Sequence, residues 1–320
     1  MLIKKEFISG IIITSAVLIA SALVPVLGFV LCVFIPLTIV YFARTSRVQG
    51  VLVLMLSIIA ATVALISMGI NGNLPFMFIW GSVGIFLSEF LKKKYSLDKA
   101  VFYSVLAFLT MGLVFFLTYS LRVSEDPWVI METQVKLGVA EAINAYAQAG
   151  LLTPDQVQQI RNQSAEIAKA AYHLLPAMMV IGSIFFIWLN AIAARVIFLW
   201  RKTAFPVSGD LAYWRIPDQL VWFVIASGSL ILIPVENLKI AGLNLIFIFL
   251  FIYFFQGLSI IHFFFQKKNM PNFLRGVFYI LIFAQLILSL MVIGLGFFDL
   301  WLDFRKINQP IKLSEEKGET

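Results

Sequence analysis

Nine apolar runs follow one another along the chain, over residues 7–24, 26–43, 48–70, 74–91, 99–121, 173–200, 219–235, 240–265 and 276–298, each closed by a short polar or basic segment. Hydrocarbon is crossed by roughly 20 consecutive apolar residues in a helix. The pattern therefore predicts an all-α fold: a polytopic transmembrane helical bundle of about nine spans. The first two runs share only Pro25 as punctuation. They read as a tight hairpin or a partly re-entrant pair.

Residues 122–172 differ in kind. Six acids, Glu125, Asp126, Glu132, Glu141, Asp155 and Glu166, are mixed there with Arg122, Lys136, Arg161 and Lys169. Val135, Val139 and Ile143 recur at helical steps, and Ala149-Gly150 is a stop signal. Thr153-Pro154-Asp155-Gln156 then supplies an N-cap, a proline at the first helical position and the glutamine of a capping box. The second helix is expected to run on through Tyr172 and Pro176 into the sixth span. The result is one extracytoplasmic helical hairpin, either a cap over the bundle or a spacer. The chain divides into spans one to five (1–121), the hairpin (122–172), spans six to nine (173–298) and a polar carboxyl-terminal tail (299–320).

Composition agrees with a lipid solvent, because 61% of residues are hydrophobic and only 13% charged, with a mean hydropathy of +0.95. The net charge of +7 does not point to nucleic acid, because the basic residues cap apolar runs and form no stripe. Lys4 and Lys5, Arg44 and Arg47, Lys92 to Lys94, Arg201 and Lys202, and Lys267 and Lys268 fall at alternate run ends, hence on one side. By the positive-inside rule the amino terminus is cytoplasmic. The start imitates a signal peptide with Ala20-Ser21-Ala22 as its cleavage site, but the apolar stretch continues past it and favours an uncleaved anchor. Nine spans place the tail outside, where Asp299 and Asp303 balance Arg305 and Lys306.

Candidate chemistry is sparse. Cys32 is the only cysteine and permits no internal disulfide. His173 opens the sixth span and His262 closes the eighth, so they differ by about 25 Å in depth, whereas ligands of one metal ion lie about 2 Å from it. Glu89 and Arg195 lie within snorkelling reach of the cytoplasmic interface. No carboxylate is expected inside a span, which argues against a proton-driven pump. No nucleotide-binding or hydrolase motif occurs, so neither catalytic residues nor a cofactor are assigned. The polar groups left inside spans are the amides Asn190, Gln256 and Gln285. They either line a small polar pocket near Arg195 or act as interhelical hydrogen-bond glue.

Small residues four apart, Ala16 with Ala20 and Ala60 with Ala64, permit close helix approach, within the bundle or to a partner protein. The loop before the seventh span carries Phe205-Pro206 and then Tyr213-Trp214-Arg215-Ile216-Pro217-Asp218-Gln219-Leu220-Val221-Trp222. Pro217 and Asp218 start a helix, and Trp214 and Trp222 bracket the headgroup level. Trp214, Arg215, Pro217 and Trp222 thus serve as an anchor or as a docking site for a cytoplasmic protein.

The Trp214-Arg215-Ile216-Pro217 stretch, with Leu174-Leu175-Pro176-Ala177 and Leu189-Asn190-Ala191 up to Arg195, resembles the YybS-like family of bacterial inner-membrane proteins over most of the chain. That family is a domain of unknown function, so the resemblance implies a fold and a location but no reaction. The chain is also distantly similar to the substrate-binding components of energy-coupling-factor vitamin transporters, in which small residues of the first span contact the transmembrane coupling protein. The resemblance implies that role for Ala16 and Ala20. The spans after residue 219 and the 122–172 hairpin depart from the six-span plan. The expectation is a non-enzymatic small-molecule binding or transport component that depends on partners. The alternatives are an envelope scaffold or assembly protein and, behind it, a lipid-acting intramembrane enzyme. An enclosed pocket would mark the first, a filled bundle the second.

Overall fold

The computed structural model describes residues 2–23, 31, 33–44, 46–70, 74–93, 95–203, 205–206 and 211–306. Pro25, Cys32, Lys94 and residues 307–320 lie outside the described residues. Among those described, twelve α-helices and one short 3-10 turn occur and no strand. The chain forms two compact units, residues 1–208 and 209–320.

The first unit holds α1 (Leu2–Leu23), α2 (Ile35–Ala43), α3 (Arg47–Ser67), α4 (Leu74–Lys92), α5 (Leu97–Val123), α6 (Pro127–Gln148), α7 (Pro154–Asn162) and α8 (Ser164–Trp200). Its core is apolar where helices meet: Leu18, Ile39, Leu54 and Leu65 pack in one cluster, and Val83, Leu87, Ile187 and Ala191 in another. Trp80 stands edge-on to Phe186, with ring centroids 4.2 Å apart. Hydroxyls stitch α1 to its neighbours. Ser57 Oγ donates to the Ile11 carbonyl at 3.2 Å and Thr14 Oγ1 to Thr38 Oγ1 at 3.0 Å. Ala16 is exposed and Ala20 half-buried, and the hydrogen bonds between α1 and α3 come from Ser15 and Ser57. At Gly84 any Cβ would press on the Pro36 carbonyl and Ile39, which explains why α4 meets α2 at a glycine.

The 122–172 segment folds as its caps dictate. Asp126 accepts from the Trp128 amide at 2.7 Å and starts α6. Ile130, Val135, Val139 and Ile143 are among its less exposed positions, and α6 packs against α8. Gly150 ends the turn after α6 at φ +67, a left-handed conformation in which glycine carries no Cβ penalty. The capping box is present in both directions, the Thr153 amide to Gln156 Oε1 at 2.9 Å and the Gln156 amide to Thr153 Oγ1 at 3.4 Å. A break at Gln163 separates α7 from α8, which then runs 37 residues with Pro176 inside it.

The second unit holds α9 (Leu220–Leu232), α10 (Glu236–Lys267), α11 (Asn272–Ala284) and α12 (Leu286–Leu302). Helix α10 is its axis, with α9 and α12 packed on it. A Cβ on Gly296 would collide with the Tyr253 carbonyl oxygen, and one on Gly257 with the Val292 carbonyl oxygen. Backbone therefore touches backbone where α12 meets α10, a packing open only to glycine.

Among the described residues, Lys5–Leu23 of α1, α3, α5, α8 and α10 are long and apolar enough to cross a bilayer. Of the other four expected spans, 26–43 is described only in part, 74–91 forms the 19-residue α4, and two take another form. Helix α9 has 13 residues, about 20 Å in length, short of the roughly 30 Å of hydrocarbon. The run at 276–298 is not one helix, because α11 and α12 meet at 102°. Gln285, with φ −113 and ψ 113, is the break. It frees the Ile282 carbonyl, which Ser289 Oγ takes at 2.6 Å.

Candidate functional site

Eight consecutive residues of α10, Tyr253 to Ile260, are buried. Two of them are polar, Gln256 and Ser259, and their spacing of three sets them on one face of the helix. Beside them run the 3-10 turn Leu211–Tyr213 and residues 214–217, which have no regular structure. Such backbone needs partners for its carbonyls wherever it is buried.

The partners come from the last turn of α12 and the residues just after it. Helix α12 stops at Leu302, and Asp303 takes the left-handed conformation at φ 38. The Phe304 amide donates to Asp299 Oδ1 at 3.0 Å. This turn swings Arg305 back under the helix. Its Nη2 donates to Asp299 Oδ2 at 2.8 Å, and the two side chains are 0% and 1% exposed. Its Nη1 reaches three oxygens: Ala212 O at 2.9 Å, Trp214 O at 2.8 Å and Ser259 Oγ at 2.9 Å.

Gln256 closes the network, donating from Nε2 to Asp299 Oδ2 at 3.1 Å and accepting the Ile216 amide on Oε1 at 3.1 Å. Ser259 Oγ donates to Leu211 O at 2.7 Å. Desolvating two such ions costs several kcal/mol each, roughly, and only good geometry with further hydrogen bonds offsets it. Both carboxylate oxygens are engaged here. Arg305 Nε alone has no acceptor among the described residues.

The four residues expected to share a pocket fall in two units. Asn190 and Arg195 belong to the first unit, Gln256 and Gln285 to the second. Asn190 is fully buried, and its Nδ2 donates to Val33 O at 2.8 Å and Phe186 O at 2.9 Å, while Oδ1 has no partner among the described residues. Arg195 is half-buried and Gln285 exposed. Glu89 pairs with Lys92 at 2.9 Å. His262 Nδ1 faces the Tyr279 hydroxyl at 3.0 Å. Among the described residues no three His, Cys, Asp or Glu side chains converge on a metal position. An open groove on α1 is lined by Lys5, Glu6, Ile8, Ser9 and Ile12.

The 211–222 segment has two faces. Arg215 pairs with Asp218 at 3.0 Å, and the Pro217 carbonyl receives the Leu220 amide at 3.0 Å, which starts α9. Outward, Tyr213 is 58% and Trp222 69% exposed. Inward, Ala212 and Ile216 are buried, and the Trp214 carbonyl holds the guanidinium.

Sequence reading missed Asp299, Arg305 and Ser259. A carboxylate just after an apolar run resembles an interfacial charge, and only its burial reveals otherwise. The available signal was Gln256 and Ser259, two polar side chains three apart within the apolar stretch 245–261 of α10.

No curated protein and no solved structure matches the chain. Residues 12–300 match the model of a family described as predicted membrane protein (DUF2232), a match that extends over most of both units and includes Asp299 but stops short of Arg305. With several apolar helices of bilayer-spanning length and a match over most of its length, the chain belongs to this family of predicted membrane proteins.

Proposed function

We propose that the protein is a non-enzymatic membrane component that works through a partner protein, with residues 211–222 as its docking element. The observation that supports this reading is the treatment of that segment. Ala212 O, Trp214 O and the Ile216 amide are tied into a buried network, while Tyr213 and Trp222 are presented outward. A simple connection between helices has no need of a buried ion pair, whereas a recognition surface gains from being held rigid. Exposed tryptophan and tyrosine are the side chains that most often anchor protein interfaces.

The five basic clusters support a cytoplasmic amino terminus in a bacterial inner membrane and a cytoplasmic position for this segment. The exposed Ala16 offers a second, helix-to-helix contact within the membrane. The distant resemblance to energy-coupling-factor binding components agrees with partner dependence. Docking is favoured over an enclosed small-molecule site because the Asn190 amide nitrogen and both ends of the Gln256 amide are engaged in packing. Small-molecule binding keeps one specific observation in its favour, the buried Oδ1 of Asn190, which has no partner among the described residues.

Photo-cross-linking in the native membrane separates the readings. A photoreactive side chain at Trp222 is expected to give a discrete protein adduct, lost on Arg215→Ala, while the same group at the outward Leu290 gives lipid adducts only. Identical patterns at the two positions reject docking. A small molecule that co-purifies with the wild type and is lost on Asn190→Leu would instead support the binding component.

A further inference from the structure

We infer that Arg305 is a latch: a tethered cation that seats in a cage of oxygens and holds residues 211–217 in one conformation, so that withdrawing the turn after α12 releases the loop. The cage is built from three separate parts of the second unit. The loop gives the carbonyls of Ala212 and Trp214, α10 gives Ser259 Oγ, and α12 gives the Asp299 carboxylate. Three of these oxygens surround the single atom Nη1 at 2.8 to 2.9 Å. No other described cation reaches them.

The latch is specific to arginine. A planar fork places one nitrogen among the carbonyls and the other on Asp299, a division that a lysine point charge does not reproduce. The cost of burial identifies its purpose. A buried ion pair is a poor source of stability compared with apolar residues of the same volume, and its best-attested role is to select one arrangement among several. Residues 211–217 need such selection, because they carry no regular hydrogen-bond ladder. Gln256 reinforces the coupling: one end of its amide reads the Asp299 carboxylate and the other holds the Ile216 amide.

The latch is also placed to be opened. Arg305 sits three residues beyond the end of α12, held by the Asp303 turn and the Phe304 amide, and a pull on Lys306 acts directly on it. Removing the guanidinium leaves carbonyls, a hydroxyl and a carboxylate facing one another, an all-oxygen cage of net negative charge that calls for another cation. The cage geometry carries the latch by itself. Only its consequence for a partner rests on the docking reading.

The test uses the full chain in detergent with Cys32→Ser and a reporter thiol at the buried position Ile216→Cys, modified by a water-soluble maleimide. Arg305→Ala is expected to raise the rate by about tenfold or more, since modification tracks the open population. Millimolar guanidinium, filling the vacated place, is expected to lower it again, and choline at equal ionic strength is not. A second thiol at Ile143→Cys, buried in the first unit, reports general unfolding and is expected to stay slow. An unchanged rate at position 216 overturns the latch, as does an equal rise at both positions. Should Arg305→Ala fail to yield folded protein, Arg305→Lys and Gln256→Met replace it, and wild-type rates in both overturn it too. Cross-linking at Trp222 can fail while this result stands, which separates the latch from docking.

Discussion

Arg305 and Asp299 lie six residues apart across the end of α12 and meet at 2.8 Å, with neither side chain exposed. Each is held by other groups as well, so the pair is the centre of a network and not an isolated contact. Losing one partner leaves the other charge buried without compensation, which typically costs about 3 to 5 kcal/mol. Arg305→Met or Asp299→Leu alone is therefore expected to lower the thermal midpoint sharply. The double substitution is expected to recover much of the loss. A double-mutant cycle on the purified chain checks this, and strictly additive losses would contradict it.

Glycines of α12 are expected to differ according to what faces them. Gly296→Val drives a side chain into the Tyr253 carbonyl and should prevent α12 from packing on α10. Gly294 has nothing within 4 Å of its would-be Cβ, so Gly294→Ala should be neutral or stabilise by up to about 1 kcal/mol through helix propensity. Monodispersity and thermal midpoint of the two variants, compared side by side, decide the matter.

The caps of the 122–172 segment act locally. Removing the Thr153 hydroxyl or the Asp126 carboxylate by alanine substitution is expected to cost about 1 kcal/mol. The effect should appear as faster amide exchange in the first turn of α7 or α6. Exchange in α10 should not change.

Asn190 distinguishes a donor from a carboxylate. Its Nδ2 serves two backbone carbonyls at once, and such a side chain inside a membrane protein contributes about 0.6 to 1.7 kcal/mol. Asn190→Leu should cost a similar amount. Asn190→Asp should cost more, because an ionised carboxylate would face the two carbonyls with no proton to donate. Equal midpoints for the two variants would show that the donor role is not what matters.

The Glu6–Arg44 pair offers the opposite case from Arg305. Arg44 contacts both Glu6 oxygens and lies over the Tyr41 ring at 4.4 Å, but the Glu6 side chain is 49% exposed. Water and salt screen such a pair, and Glu6→Gln is expected to cost under about 1 kcal/mol. Its effect should shrink further as salt is raised, whereas that of Arg305→Met should not.

Residues 122–172 show what local sequence decides. The capping box at Thr153, the stop at Gly150 and the stripe through Val135, Val139 and Ile143 depend on neighbours no more than four or five places away, and the chain carries that information in order. Apolar runs likewise announce helices, since lipid leaves the backbone little else to do. The all-α membrane class was determined by these patterns alone. Tertiary structure decided the rest: the bend at Gln285, the break at Gln163, the meeting of α10 and α12 at Gly257 and Gly296, and the division into two units. Above all it decided the meaning of Asp299 and Arg305. In the sequence they are two charges after an apolar run, like many that rest at an interface. Only folding brings Ala212, Trp214, Gln256 and Ser259 around them, because burial and pairing are properties of depth and contact, and no linear pattern records either.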